Sequence, residues 1–284
     1  MVETHMPLDF PNIVPANNLR LPDALTIKHG PARLLARFIM EGDKAAREVG
    51  VHLRVRHDFD ELLYVNRQYS KANTWYPLVD AFNPECVNLT PENAFWISGE
   101  NDAGEIITTR ITRVYNWIDT NLEEQARAFW YGEDHGQPCV VTADAAKLIS
   151  GVVAGGAAFW VRPDFRGQHL SHWIPRIGKA LACARWPIEW LFCYIGIDHV
   201  RRGLAVNYGQ KHLSHSVVYP GSPRGEQVLA YTAAQEFYDD IADVLASRSA
   251  SNSSAGMSSN PKRFEHIVTN ISSDDVLHGS ISRW

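Results

Sequence analysis

Residues 157–172 read AAFWVRPDFRGQHLSH: Ala157-Ala158-Phe159-Trp160-Val161, then Arg162-Pro163-Asp164-Phe165-Arg166-Gly167, then Gln168-His169-Leu170-Ser171-His172. An apolar run of strand length meets a proline turn, an Arg-Gly pair and the opening of a helix. Trp173, Ile177, Leu181 and Ala184 trace one face of that helix. A strand that passes through a glycine-containing loop into a helix start presents unpaired backbone N–H groups at the positive end of the helix dipole. Such a junction is suited to an anion. With Ser171 as N-cap, Pro175 falls at the fourth helical position and removes only the first backbone bond.

Charge around the stretch points the same way. From position 162 to 185 the chain carries Arg162, Arg166, Arg176, Lys179 and Arg185 against Asp164 alone, although the whole protein has a formal net charge of -5. A basic loop and helix in an acidic protein suits a small polyanion, or is simply a solvated helix face. The same net charge argues against a nucleic-acid partner, which requires a surface that neutralises phosphates. The 284 residues have an ordinary globular composition, apart from nine tryptophans. Cys86, Cys139, Cys183 and Cys193 show no short paired spacing, so a reduced, cytoplasmic protein is expected. MVETHMPLDF has no basic region followed by an apolar run, so no signal peptide is expected, and no stretch is long enough to span a bilayer.

Upstream, the prolines at 7, 11, 15 and 22 predict an irregular arm, and Leu34, Leu35, Phe38 and Ile39 predict a helix over Ala32–Val49. Val51, Leu53 and Val55 alternate as in a half-buried strand, and Asp58 can cap a helix carrying Leu62, Leu63, Val65 and Tyr69. Lys71–Thr90 is irregular and aromatic, as in a binding wall, a lid or a disordered segment. Ala94–Ser98 and Glu105–Val114, joined by GENDAG at 99–104, predict an antiparallel hairpin. Leu122–Tyr131 is a short helix capped by Thr120 or Asn121, and Gly132–Pro138 is a turn. Val140–Gly156 holds either a short helix near Ala145–Ile149 or a bent connection.

Downstream, Trp190–Ile197 is a strand buried on both faces and His199–Gln210 a helix. Ser214–Tyr219 and Val228–Thr232 are closing strands, and Ala233–Ala246 a last amphipathic helix. Ser247–Asn260 is a Ser-rich linker of low complexity, followed by a mixed tail. The expected organisation is an arm and helix over 1–50, a catalytic domain over 51–246, and a linker and tail over 247–284. The fold class is α/β of the α+β type, a mixed, mostly antiparallel twisted sheet flanked by helices.

Val161-x-Pro163-x-Phe165, then Arg166-Gly167-Gln168-His169-Leu170-Ser171, resembles the GNAT superfamily of acyl-CoA-dependent N-acyltransferases. The pattern there is Val-x-Pro-x-Phe/Tyr, Arg-Gly-x-Gly-Leu/Ile-Gly/Ser and a helix. The resemblance implies that Arg166, Gly167, Gln168, His169, Leu170 and Ser171 cradle the diphosphate of acetyl-CoA or another acyl-CoA. It also implies that Phe159, Trp160 and Val161 pair with the pantetheine arm, one N–H polarising the thioester carbonyl. His169 stands where the family has its middle glycine. A second match, Ala205-Val206-Asn207-Tyr208 before Gly209-Gln210-Lys211-His212-Leu213, implies Tyr208 as proton donor to the departing thiolate. Here His212-Leu213 replaces the family's Gly-Phe.

The strand before Trp160 offers no carboxylate, so Asp198 is the first candidate for the general base, with Glu100 and Glu105 as others. Asp198 is equally suited to cap the helix that follows. HLSH occurs at 169–172 and again at 212–215, but no Cys or carboxylate completes a ligand set and no metal is expected. Trp75, Tyr76, Trp117, Trp130 and Tyr131 read as core first and pocket wall second. The expected activity moves an acyl group to a small-molecule or peptide amine. A long-chain or carrier-protein acyl donor, and a CoA-binding module without turnover, are the alternatives. The acceptor and the oligomeric state are not legible.

Overall fold

Leu19–Arg20 (β1), Ala32–Arg47 (α1), His52–Arg56 (β2) and Phe59–Lys71 (α2) open the chain, in a computed structural model that describes residues 19–129, 140–141, 143–218 and 226–255. Asp58 caps α2 as expected, its Oδ1 accepting from the N–H of Glu61 at 2.9 Å. Ala94–Glu100 (β3) and Ile106–Trp117 (β4) form the hairpin, and Leu122–Phe129 (α3) follows, with Asn121 taking the N–H of Glu124 at 3.1 Å. Then come Val140–Val141 (β5), Gly151–Val161 (β6), Leu170–Arg185 (α4) and Trp190–Gly196 (β7). Ile197–Arg201 (α5), Leu204–Asn207 (α6), His212–Val218 (β8), Gln227–Ala233 (β9) and Ala234–Ala255 (α7) complete the order. The chain divides into two compact units, Met1–Leu245 and Ala246–Trp284.

Among the described residues nine strands form one sheet in the order β1-β2-β3-β4-β6-β7-β9-β8-β5. Every neighbouring pair is antiparallel except β6 and β7. This is a mixed α/β fold with an open, mostly antiparallel sheet flanked by helices. On one face, Leu35, Phe38 and Ile39 of α1, Ile174, Ile177 and Leu181 of α4, and Phe237 and Ile241 of α7 cover Leu53, Val55, Phe95, Ile97 and Leu191. On the other, Leu62 of α2, Leu122 and Ala126 of α3, and Phe82 cover Trp96, Ile111, Tyr115, Val153, Phe192 and Leu229. Each face removes a continuous apolar surface from water, which is the dominant favourable term in folding.

The parallel pair sets up the site. β6 pairs with β7 only at Val153–Gly155, whereas β7 stays paired to β9 as far as Gly196↔Gln227. From Gly156 to Val161 the second edge of β6 therefore has no strand beside it among the described residues. A β-bulge sharpens the divergence: Thr109 lies opposite Trp160 but Ile111 lies opposite Ala157, and Ala158 takes φ +50°. Thr109 Oγ1 donates to the Ala158 carbonyl at 2.9 Å and Thr108 Oγ1 to that of Trp160 at 2.7 Å, so β4 satisfies the backbone that the bulge displaces.

Several expectations need correction. The predicted helix over His199–Gln210 starts earlier and is broken: Gly203 at φ +79° separates α5 from α6. Asp198 consequently lies inside the first turn of α5, with Gly196 as its N-cap, and does not cap it. The N-cap of α4 is His169, not Ser171, so Pro175 sits two residues deeper than expected and the carbonyl of Ser171 loses its helical donor. Within the second unit the helical backbone continues to Ala255, through the beginning of the Ser-rich stretch, with Ser251 Oγ donating to the Ser247 carbonyl at 3.0 Å. Asp144–Lys147 is a 3₁₀ turn, which resolves the Val140–Gly156 alternatives toward a short helical element. The Gly132–Pro138 turn lies outside the described residues.

Candidate active site

The free edge of β6 leads directly into the loop over α4. Pro163–Phe165 forms a 3₁₀ turn, Arg166 Nε donates to the Val161 carbonyl at 3.1 Å, and Gly167 and His169 both take left-handed conformations, at φ +82° and +58°. Among the described residues no protein acceptor takes the N–H groups of Gly167, Gln168, His169, Leu170 or Ser171. Five consecutive donors at the N-terminus of a 16-residue helix make a nest of the kind suited to an anion. A position with φ near +60° costs a Cβ-bearing residue energy that glycine does not incur.

The basic stretch is distributed differently from the expectation. Arg166 is exposed beside the nest, but Arg162 is engaged by Asp164 at 2.8 Å and by Glu105 at 3.0 Å. Arg176, Lys179 and Arg185 turn inward from α4, which is buried almost all round. Arg185 lies 4.7 Å over the Phe95 ring, and burial pulls it down to about 10. Burial and then the Arg185 charge hold His57 at about 4, so its imidazole stays neutral beside that guanidinium.

Arg176 and Lys179 organise the segment that carries Tyr208. Arg176 Nε meets Asp240 Oδ2 at 2.8 Å, while Nη1 donates to the Asn207 carbonyl and Nη2 to that of Val206 at 3.3 Å. Lys179 Nζ donates to the Gly209 carbonyl at 2.7 Å and lies 5.0 Å over the Phe237 ring. These two cations thus hold the carbonyls on both sides of Tyr208 at the end of α6. The Tyr208 ring meets Phe159 edge-on at 5.4 Å, joining the far side of the cleft to β6. Burial, and secondarily Cys193, pushes the phenol above the ordinary tyrosine range, so it stays protonated at neutral pH. His172, beneath the nest, is held at about 4 by burial and by Arg176.

Trp160 projects to the opposite face. Its indole Nε1 donates to the Thr74 carbonyl at 3.1 Å, and its ring stacks on Trp75 at 5.2 Å and lies 4.2 Å from Tyr69. Within Lys71–Thr90, Thr74 and Trp75 thus lie against Trp160 of β6. Trp117 is core, stacked on Tyr115 at 4.7 Å, Tyr76 is exposed, and Trp130 and Tyr131 lie outside the described residues.

The candidate bases are not drawn into the cleft. The Asp198 side chain is 75% exposed and meets Arg201 at 3.3 Å on α5. Glu100 is tied up by Arg54 and Arg56, and Glu105 by Arg162 and Asn101. The second HLSH lies on β8, so its histidines do not share a helical face. Among the described residues no three His, Cys, Asp or Glu side chains cluster as a metal site would require. No helix there is long and apolar enough to cross a membrane.

One feature escaped sequence reading altogether. Arg110 of β4 is 3% exposed, and its guanidinium is packed between Gly156 of β6 and Gly178 of α4, where a Cβ at 178 would stand 2.8 Å from Nε. The available signal was an arginine in the middle of the Ile106–Trp117 strand together with glycines at 156 and 178.

No protein-family model matches the chain, and no curated protein does. Similar solved structures include aminoglycoside acetyltransferase AAC(6')-Ib in complex with coenzyme A and kanamycin, at 13% identity and a TM-score of 0.40 over 65% of this chain and 96% of that one. A GNAT-family acetyltransferase from Streptococcus agalactiae aligns at 13% identity and a TM-score of 0.39, over 64% of this chain and 95% of its own. An uncharacterised Bacillus halodurans protein aligns at 14% identity and a TM-score of 0.42, over 69% and 91%. Likeness at this level transfers no residue role to the present chain.

Proposed function

We propose that the protein is an acyl-CoA-dependent N-acyltransferase whose domain spans residues 51–246, with residues 1–50 and 247–284 as additions. The observation that carries the reading is the unpaired edge of β6 from Gly156 to Val161, continuous with five free N–H groups at the start of α4. An extended amide-bearing arm can pair with such an edge while its diphosphate rests on the nest. In this reading Phe159, Trp160 and Val161 supply the backbone partners, Gly167, Gln168, His169, Leu170 and Ser171 bind phosphate through N–H groups, and Arg166 adds charge. A small-molecule or peptide amine approaches from the Trp75–Trp160 wall.

Attack of the amine nitrogen on the thioester carbon forms the C–N bond, with the developing oxyanion held by a β6 N–H. Collapse breaks the C–S bond. Tyr208 gives its phenolic proton to the thiolate, and the amine proton leaves to water, directly or on its way to the exposed Asp198. The free thiols of Cys86, Cys183 and Cys193 suit the reducing cytoplasm.

Thermal unfolding with CoA and acetyl-CoA tests the reading: a ligand at about 100 times its Kd stabilises by roughly 2.7 kcal/mol, which raises Tm by several degrees. Arg166→Ala should reduce that rise. No shift with any CoA species overturns the proposal. A shift without acylation of any amine in a broad panel means a CoA-binding module instead, and turnover with long acyl chains alone means the long-chain alternative.

A further inference from the structure

We infer that Arg110 is the recognition site for a carboxylate at the far end of the transferred acyl group, so that the donors are dicarboxylic acyl-CoAs. The inference rests on the acyltransferase reading above. Arg110 is almost wholly buried, and its Nε is sealed from solvent without an acceptor. A guanidinium does not escape this by releasing its proton within the working range of a protein. Among the described residues no carboxylate pairs with it, and the buried Asp240 is committed to Arg176 at 2.8 Å and Lys211 at 3.1 Å. A buried charge without a partner costs several kcal/mol, so its retention calls for an explanation, and a ligand that completes it is one.

The surroundings favour an anion. Among the described residues the Cys193 thiol, the Tyr208 phenol and the Lys179 ammonium interact electrostatically with Arg110, and the Thr112 hydroxyl is buried without a partner beside Gly178. These groups donate hydrogen bonds or carry positive charge, and a planar carboxylate matches the guanidinium fork bidentately.

Position identifies which carboxylate. Gly156, over which the guanidinium lies, is the first β6 residue beyond the last pair with β7, so Arg110 sits at the closed end of the cleft. A thioester arm that begins at the nest beyond Val161 and runs inward along β6 brings its sulfur past Phe159 and Tyr208. The next atoms in line are those of the acyl chain, and they meet Arg110. An acyl group ending in a methyl would leave the cation unpaired.

The test is calorimetric titration of the full chain with CoA and with acyl-CoA pairs of equal length that end in carboxylate or methyl: malonyl against propionyl, succinyl against butyryl, glutaryl against pentanoyl. In the wild type at least one carboxylate member should bind about tenfold or more tighter than its methyl counterpart, as expected for a hydrogen bond to a charged group. In Arg110→Met that preference should vanish, and in Arg110→Lys it should survive in part. If CoA and the methyl members bind but no carboxylate member is preferred, the inference fails while the acyltransferase reading stands. If a preference persists undiminished in Arg110→Met, it also fails. If CoA itself does not bind, both fail. The wild-type comparison decides the matter even if Arg110→Met does not fold.

Discussion

Two arginines buried in the same sheet are treated in opposite ways. Arg56 of β2 is fully paired: Nε donates to Ser98 Oγ at 2.8 Å, Nη1 to Glu61 Oε1 at 2.5 Å and Nη2 to Glu100 Oε1 at 2.6 Å, with the Trp96 ring 5.2 Å below. Arg110, two strands away, has two glycines against it and, among the described residues, no carboxylate partner. The fold evidently can supply acids to a buried guanidinium where the role is architectural. The difference teaches that an unpaired cation at the end of the β6–β7 cleft is a property of that cleft rather than of the sheet.

The largest effect expected from breaking this contrast is at Arg56. Arg56→Met leaves Glu100 buried without its main partner, which should destabilise by about 3–5 kcal/mol in urea unfolding at neutral pH. The effect also has a pH signature. Burial alone would raise the Glu100 carboxyl, but Arg56, Ser98 and Arg54 outweigh it and hold it below the usual range. Its stabilisation is thus present above the unfolded value of 4.5 and is lost as pH falls through the lower folded value. Arg56→Met should therefore shift acid unfolding to higher pH.

Arg110→Met should go the other way, raising stability by about 1–3 kcal/mol, because an apolar side chain of similar length replaces an uncompensated charge. Denaturant midpoints of the two variants measured side by side would decide it. A loss at Arg110 comparable to that at Arg56 would erase the distinction between the two sites.

The elements around Arg56 were legible and the pairing of either arginine was not, and the reason is sequence distance. Alternation at Val51, Leu53 and Val55, the Asp58 cap and the turn at 99–104 are local signals, and each element stands where those signals put it. The strand-loop-helix order at Ala157–Ser171 was equally local. Arg110, by contrast, acquires its meaning from Gly156 and Gly178, which no short-range pattern connects to it. Arg176, Lys179 and Arg185 misled for a related reason. Their spacing resembles a basic face, but tertiary packing buries α4 on nearly every side, and the cations serve Asp240, backbone carbonyls and aromatic rings instead of a ligand. The break at Gly203 and the left-handed His169 are backbone states that residue type permits without declaring.

A third, smaller effect sharpens the contrast within α4 itself. Lys179 is paired to a carbonyl rather than an acid, and burial, then Arg176, pulls its ammonium down to about 7 from 10.5. Its folded value lies below its unfolded one, so between pH 7 and 10.5 the unfolded chain binds more protons and stability rises with pH. One group contributes at most about 1.4 kcal/mol per pH unit. Urea unfolding at a series of pH values, taken as the difference between wild type and Lys179→Met, should show this slope. Equal slopes in both proteins would mean that Lys179 keeps its proton throughout, and that its carbonyl bond and the Phe237 ring compensate burial fully.

The smallest expected effect concerns the nest. His169 holds φ +58° with an exposed side chain and no side-chain cap bond, so its backbone is strained without evident return in the free protein. His169→Gly relieves that strain, but the added freedom of the unfolded chain offsets part of the gain, leaving a net change of about 0.5 kcal/mol or less. The comparison with His169→Ala isolates the backbone. Alanine keeps the left-handed cost and removes the imidazole, so it should stay close to wild type and fall below the glycine variant by the same margin, about 0.5 kcal/mol or less. An alanine variant equal to or more stable than glycine would show that residue 169 is not left-handed in solution. The five N–H groups would then not converge on one point, and the nest would lose the geometry that distinguishes it from an ordinary helix start.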